Sequence, residues 1–181
     1  MQESGIVRRI DDLGRVVIPK ELRKSLRIKE GDPLEIFASK EELIFRKYSP
    51  IESVKTLITT VAKGLEDLTE KVCIVTDTDK VLYSSSGYES EIGKTLSKEL
   101  EKIMKDRKSV ILSKKDGAST LPIVLGENFS IENQIIVPII SGGDCYGSLV
   151  LIDTKNPEGL SIKELNAVRL GSYVLAEQFS I

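Results

Sequence analysis

The chain has 181 residues, 40% of them hydrophobic, which suffices for a core in one domain or two small ones, and its formal charge of −2 says nothing by itself about nucleic acid. Histidine is absent and there are only two cysteines, which excludes Ser-His and Cys-His catalysis, His-containing metal sites, a structural zinc and a disulfide framework. With no Trp and 5% aromatics, base stacking on aromatic rings is not expected, which argues against a single-strand or RNA binder.

Along the chain the charge is uneven. Met1–Lys29 holds eight basic residues (Arg8, Arg9, Arg15, Lys20, Arg23, Lys24, Arg27, Lys29) against four acids, a balance of +4, while Ser49–Ile181 balances to −4. A localised guanidinium cluster among short apolar runs is the electrostatic footprint of a nucleic-acid binder, and the acidic remainder would not itself approach DNA. In chain order, Gly5–Ile10 reads as a strand, Asp11-Asp12-Leu13-Gly14 as a turn, and the β-branched run Arg15–Ile18 as a second strand. Gly14 supplies a backbone angle that other residues resist. Pro19 suits the first position of a helix over Lys20–Leu26, with Leu22 and Leu26 at i, i+4. After the breaker Gly31-Asp32-Pro33, Leu34, Ile36 and Ala38 alternate, Lys40-Glu41-Glu42 turns, and Leu43 and Phe45 alternate again. A unit this small buries too little surface alone, since folding usually fails below about 40 residues, so a second copy is expected to complete it.

Tyr48-Ser49-Pro50 marks a boundary. Ile51, Val54, Ile58, Val61, Leu65 and Leu68 follow at spacings of three and four, the pattern of a coiled-coil dimer seam; the first half, just after a unit that needs a partner, is expected to dimerise, while the C-terminal half suits equally an amphipathic helix packed on its own domain. Beyond Lys71 come a hairpin (Val72–Thr76, Asp77–Lys80, Val81–Tyr83), a helix over Lys94–Arg107, a strand at Val110–Leu112, a second hairpin (Ile135–Ile140, Ser141-Gly142-Gly143-Asp144, Ser148–Ile152) and a last helix from Ser161 through Phe179. That order, α-β-β-α-β-β-β-α, predicts a central antiparallel sheet with helices on one or both faces.

The stretch Gly5-Ile-Val-Arg8 … Asp12-Leu-Gly-Arg15-Val-Val-Ile-Pro-Lys-Glu-Leu-Arg23 … Gly31-Asp-Pro-Leu-Glu-Ile closely resembles the AbrB-type swapped-hairpin DNA-binding domain of bacterial transition-state regulators. Together with the hairpin Ile135-Ile-Val-Pro-Ile-Ile-Ser-Gly-Gly-Asp-Cys-Tyr-Gly-Ser-Leu-Val-Leu-Ile152, the layout resembles the stage V sporulation protein T family. The resemblance implies an α+β chain: residues 1–49 a swapped-hairpin β-barrel closed by two chains, 50–70 a helical linker that dimerises, and 71–181 a GAF-like sensory or oligomerisation domain. It implies a DNA-binding regulator, activator and repressor of sporulation genes, dimeric and extended to a tetramer through its helices, with a possible small-molecule ligand of the body. It places the protein in the cytoplasm of the forespore. Independently, no apolar run reaches the roughly 20 residues of a membrane span, and the N-terminus lacks the pattern of a secretion signal.

By the same resemblance, loop arginines contact double-stranded DNA, and the matching positions are Arg8, Arg15, Arg23 and Lys24. Lys24 stands where relatives often carry Arg, so it keeps a phosphate contact and loses the two-pronged fork. Arg9 and Lys20 are expected as peripheral contacts, and the preference is AT-rich or led by DNA shape. The plain alternative is a solvated basic face paired within the chain to Asp11, Asp12 and Glu21. No residue is assigned to catalysis, a metal or a cofactor, and the residues of a body ligand site are left open. Asp77, Asp79 and Asp116 suit turns better than a metal. Cys73 reads as a core thiol and Cys145 as more exposed; a GAF-type cysteine-dependent sulfoxide reductase would need more cysteines than these. An antitoxin-like autoregulator is the other alternative, though its toxin-blocking tail would be short and disordered rather than a folded body.

Overall fold

The computed structural model describes residues 5–85, 87–127, 129–155 and 159–180, so the outermost ends of the 1–49 and 71–181 segments lie outside the described residues. The chain divides into two compact units between Tyr48 and Ser49. In the first, Pro19 is the N-cap of α1 (Lys20–Ser25), one residue outside the position expected for it. The helix stops with Ile28 N–H on the Arg23 carbonyl (2.8 Å) and Arg27 N–H on that of Lys24 (3.3 Å), Arg27 standing at φ 54° where glycine is usual. β1 (Leu34–Ala38) and β2 (Leu43–Lys47) then form an antiparallel hairpin in the register Ile36 to Phe45.

Gly5–Ile10 and Arg15–Ile18, expected as strands, are not strands in this single chain. An extended segment becomes a strand only where a neighbour takes its backbone hydrogen bonds, and among the described residues no neighbour does so along their length. No barrel closes within one chain.

The second unit is built on a five-stranded, wholly antiparallel sheet in the order β4-β3-β7-β6-β5: β3 (Val72–Thr76), β4 (Val81–Ser84), β5 (Val110–Ser113), β6 (Asn133–Ser141) and β7 (Asp144–Asp153). α2 (Lys55–Thr69) and α4 (Ile162–Ala176) cover one face, packing Ile58, Ala62, Leu65, Leu165 and Val168 on Val75, Ile135, Val137 and Leu149. On the other face lies α3 (Lys98–Asp106), whose Leu100 and Met104 meet Ile74, Ile136, Val150 and Ile152. Alternate residues of each central strand therefore enter opposite cores. That is why β6 and β7 read as unbroken apolar runs rather than as an alternation. Among the described residues no helix is long and apolar enough to cross a membrane.

The segment expected as a dimer seam packs largely on its own body in this single chain. Ile51 is fully buried, and Ile58 and Leu65 nearly so, all against their own chain's sheet, with Val54 and Val61 packed beside them; Leu68 alone of the six is widely exposed. Of the two packings that the spacing allows, the single chain shows the intramolecular one for Ile51, Ile58 and Leu65, and the segment lies within the second compact unit.

Helix α3 begins four residues later than expected. Thr95 and Leu96 instead make bridges to Lys80 and Val124, and Ser97 caps the helix by accepting from Leu100 N–H at 3.1 Å. The Ser97 hydroxyl also donates to the Pro122 carbonyl, tying the cap to the segment that brings Ile123 and Val124 into the α3 core. That segment is irregular, and side chains replace the missing ladder: Gln134 bonds both the N–H and the carbonyl of Leu121, and Glu127 accepts from Ile123 N–H at 2.6 Å. Ser97→Ala removes both bonds at a buried position and is expected to cost about 1–2 kcal/mol in urea unfolding. A loss under about 0.3 kcal/mol would show that cap and tie are dispensable.

Candidate nucleic-acid interface

The turn Asp11–Gly14 presents the basic cluster. Asp11 N–H donates to the Arg15 carbonyl (3.1 Å), Gly14 N–H returns to the Asp11 carbonyl (3.0 Å), and Gly14 sits at φ 75°, where a Cβ would be strained. Asp11 Oδ1 accepts the N–H groups of Leu13 (3.0 Å) and Arg15 (2.8 Å), and Oδ2 takes Arg15 Nε at 2.7 Å. The backbone bond from Arg15, followed by its guanidinium, holds the Asp11 carboxyl below the usual carboxylate range. Arg8 and Arg9 lie on the arm entering this turn and Arg15 on the arm leaving it. Lys20, Arg23 and Lys24 share one face of α1, at i, i+3 and i+4. All six are exposed.

Of the acids that were candidates to neutralise this face, Asp11 is engaged with Arg15, while among the described residues Asp12 and Glu21 pair with none of the six. Arg8, Arg9, Lys20, Arg23 and Lys24 likewise have no ion-pair partner among the described residues. Exposed, uncompensated cations on the arm entering the turn and along one helix face can take phosphates without first breaking an internal bond.

The same unit exposes much apolar surface. Ile6, Val7, Ile10, Leu13, Val16, Val17, Leu22 and Leu26 are exposed, and in the hairpin so are Ile36 and Phe45 on one side and Phe37 and Ile44 on the other. A hairpin apolar on both sides lacks covering layers for both.

In the body, Asp77 is consumed by structure. Its Oδ1 accepts Asp79 and Lys80 N–H (2.7 Å each) and its Oδ2 accepts the Ser49 hydroxyl (3.2 Å); burial raises its carboxyl against the opposing pull of those backbone bonds. Burial likewise pushes up the Cys73 thiol, with Glu66 adding to it. It pushes up that of Cys145 too, against the Gly147 backbone and Arg107. Neither is the low-pKa thiolate that sulfoxide chemistry needs. A surface hollow of about 240 Å³ is lined by Lys114, Thr120, Leu121, Glu127, Phe129 and Ile131 among others. Lys114 Nζ is held there by Ser130 (2.9 Å) and Glu132 (2.7 Å), and burial raises the Glu127 carboxyl. Sequence reasoning assigned nothing to this hollow, because residues 113–134 carry no regular periodicity.

Residues 54–180 match the family described as stage V sporulation protein T C-terminal, transcription factor, and residues 7–53 match antidote-toxin recognition MazE, bacterial antitoxin. Stage V sporulation protein T of Bacillus subtilis (strain 168) is 38% identical over 180 residues, 98% of either chain. The transition state regulatory protein AbrB of the same organism is 56% identical over 50 residues, 28% of this chain and 52% of its own. Over 71% of this chain its fold resembles that of a methyl-accepting chemotaxis protein, residues 122 to 287, with a TM-score of 0.58 at 16% identity and 94% of the other covered, and over 89% that of the GAF domain from an Acinetobacter phosphoenolpyruvate-protein phosphotransferase, with a TM-score of 0.52 at 14% identity and 93% of the other covered.

Proposed function

The chain belongs to the stage V sporulation protein T family, and from that premise we propose how a sporulation transcription regulator of this build meets its DNA. The AbrB-like unit is its DNA-binding domain. In our reading residues 1–49 form that domain and residues 50–181 a GAF-like body that includes the helix over 50–70. Two copies of the first unit interleave, and the pair presents Arg8, Arg15, Arg23 and Lys24 twice over to one face of a duplex, with Arg9 and Lys20 at the rim. The observation that carries this is the coincidence, within one small unit, of unpaired exposed cations and an apolar surface that a second copy would cover. The preference is AT-rich or led by DNA shape, with phosphate contacts supplying affinity rather than sequence reading.

Bodies meeting through the exposed stripe Leu170, Tyr173 and Val174 on α4 extend the dimer to a tetramer. The protein acts in the forespore cytoplasm, both raising and lowering transcription, and is not an enzyme. The body has two readings. The hollow beside Lys114 and Glu127 supports a small-molecule sensor. The filling of the α3 face by Ile123, Val124 and Ile131 supports a body that only holds oligomers together. The antitoxin reading draws support from the match over residues 7–53, but a folded body follows that segment where a short disordered tail would be needed.

Sedimentation and fluorescence anisotropy test the core of this proposal. Phe45→Asp puts a charge on the hairpin's exposed apolar side, and is expected to shift the protein toward monomer and to weaken duplex binding about tenfold or more, because half the cations leave the duplex. A Phe45→Asp protein that still sediments and binds as wild type would refute closure by a second copy on that side.

A further inference from the structure

We propose that Asp11 is a positioning residue of the DNA-binding face, holding Arg15 by its Nε so that the terminal nitrogens face DNA already oriented, and thereby raising discrimination between sequences. The inference rests on the reading of Arg15 as a DNA contact.

One carboxylate does two things at once. Oδ1 bonds two backbone N–H groups of the turn, which fixes where Asp11 stands, and Oδ2 meets Arg15 Nε at 2.7 Å. A guanidinium has five N–H donors, and only the one on Nε is taken here; among the described residues Nη1 and Nη2 bind nothing else. The Nη edge is the fork that fits guanine O6 and N7 or a phosphate. Arg15 nevertheless remains 70% exposed along its side chain, so the pairing orients it without burying it. A long side chain ordered only on contact loses rotamer freedom at that moment, and one held beforehand does not. The same carboxylate repels phosphate, so it weakens attraction to DNA of any sequence while sharpening the preferred contact. The Arg15 backbone and guanidinium bonds that hold the Asp11 carboxyl below the usual carboxylate range favour the charged form that makes the pair.

The test uses the full-length protein and two duplexes: one enriched by the wild type from a randomised pool, and a scrambled one of the same composition. Wild type, Asp11→Asn, Arg15→Ala and the double variant are titrated on both at fixed salt, and the Arg15 Nε–H resonance is followed by NMR. Asparagine keeps an acceptor oxygen for the turn and removes the ion pair. In Asp11→Asn the affinity ratio between the duplexes should fall about tenfold while binding to the scrambled duplex holds or tightens, and exchange of the Nε–H with water should quicken. Adding Asp11→Asn to Arg15→Ala should change the ratio no further. Tighter binding to both duplexes at an unchanged ratio would make Asp11 a mere repelling charge and overturn the proposal. So would an equal loss in the Arg15→Ala background, which would make Asp11 only a turn former. Arg15→Ala binding both duplexes as wild type would instead remove Arg15 from the interface, and with it the reading on which the proposal stands.

Discussion

Replacing Arg8, Arg15, Arg23 and Lys24 together by alanine is expected to lower duplex affinity about a thousandfold or more at low salt and to flatten the salt dependence. In the proposed dimer two chains present eight such cations, and each phosphate neutralised contributes about 0.9 to the slope of log affinity against log salt, so the slope should flatten by about seven. Arg15→Ala alone should flatten it by about one or two units per dimer. The variant should fold normally, since all four side chains are exposed and exposed substitutions usually change stability by less than about 0.5 kcal/mol. The measurement is fluorescence anisotropy on an AT-rich duplex across a salt series, with circular dichroism as the folding check. A slope within one unit of wild type would mean that the basic face is only solvated, and the partner of this unit would have to be sought elsewhere.

Gly147→Ala should damage the body more than any other single-methyl change argued here. A Cβ at Gly147 would stand 1.9 Å from the Thr76 carbonyl oxygen and 2.9 Å from its carbon. Both belong to the backbone of β3, which pairs with β7 through Thr76 and Ser148, so neither can turn aside as a side-chain tip would. β7 is the middle strand of the sheet, and parting it from β3 opens both cores together. The cost should be about 4 kcal/mol or more, which lowers Tm by roughly 10–15 °C. The same substitution at Gly64, inside α2 with nothing within 4 Å of its would-be Cβ, should instead stabilise by about 0.5–1 kcal/mol through helix propensity. Thermal unfolding of the two variants side by side checks both signs, and a Gly147→Ala midpoint within about 2 °C of wild type would refute the contact.

Much of this was legible without coordinates. The order of the eight body elements follows from runs and turns: Asp77–Lys80 and Ser141–Asp144 are the hairpin turns, and the last helix starts at a Ser161 whose side chain caps it with Glu164. Less was legible where a segment meets its needs through distant side chains. Leu121–Ile131 carries neither a helix nor a strand period, because Gln134, Ser97 and Glu127 bond backbone groups that a ladder would otherwise hold. In the N-terminal unit the strands expected at Gly5–Ile10 and Arg15–Ile18 have no ladder within one chain, so a pattern that reads as strand forms no sheet there.

The basic cluster, its confinement to the first 29 residues and the turn at Asp11–Gly14 were therefore determined by the sequence alone, since charge, glycine and β-branching act over a few residues. The tertiary structure alone decided three things. It packed Ile51, Ile58 and Leu65 within their own body, set Gly147 against Thr76, and turned the Gln134 amide to both backbone groups of Leu121. The physical reason is common to all three. A stripe at three-four spacing is satisfied by any apolar surface, a glycine in a strand by any close neighbour, and a buried amide by any backbone N–H and carbonyl within reach; which one it meets depends on where the rest of the chain has packed.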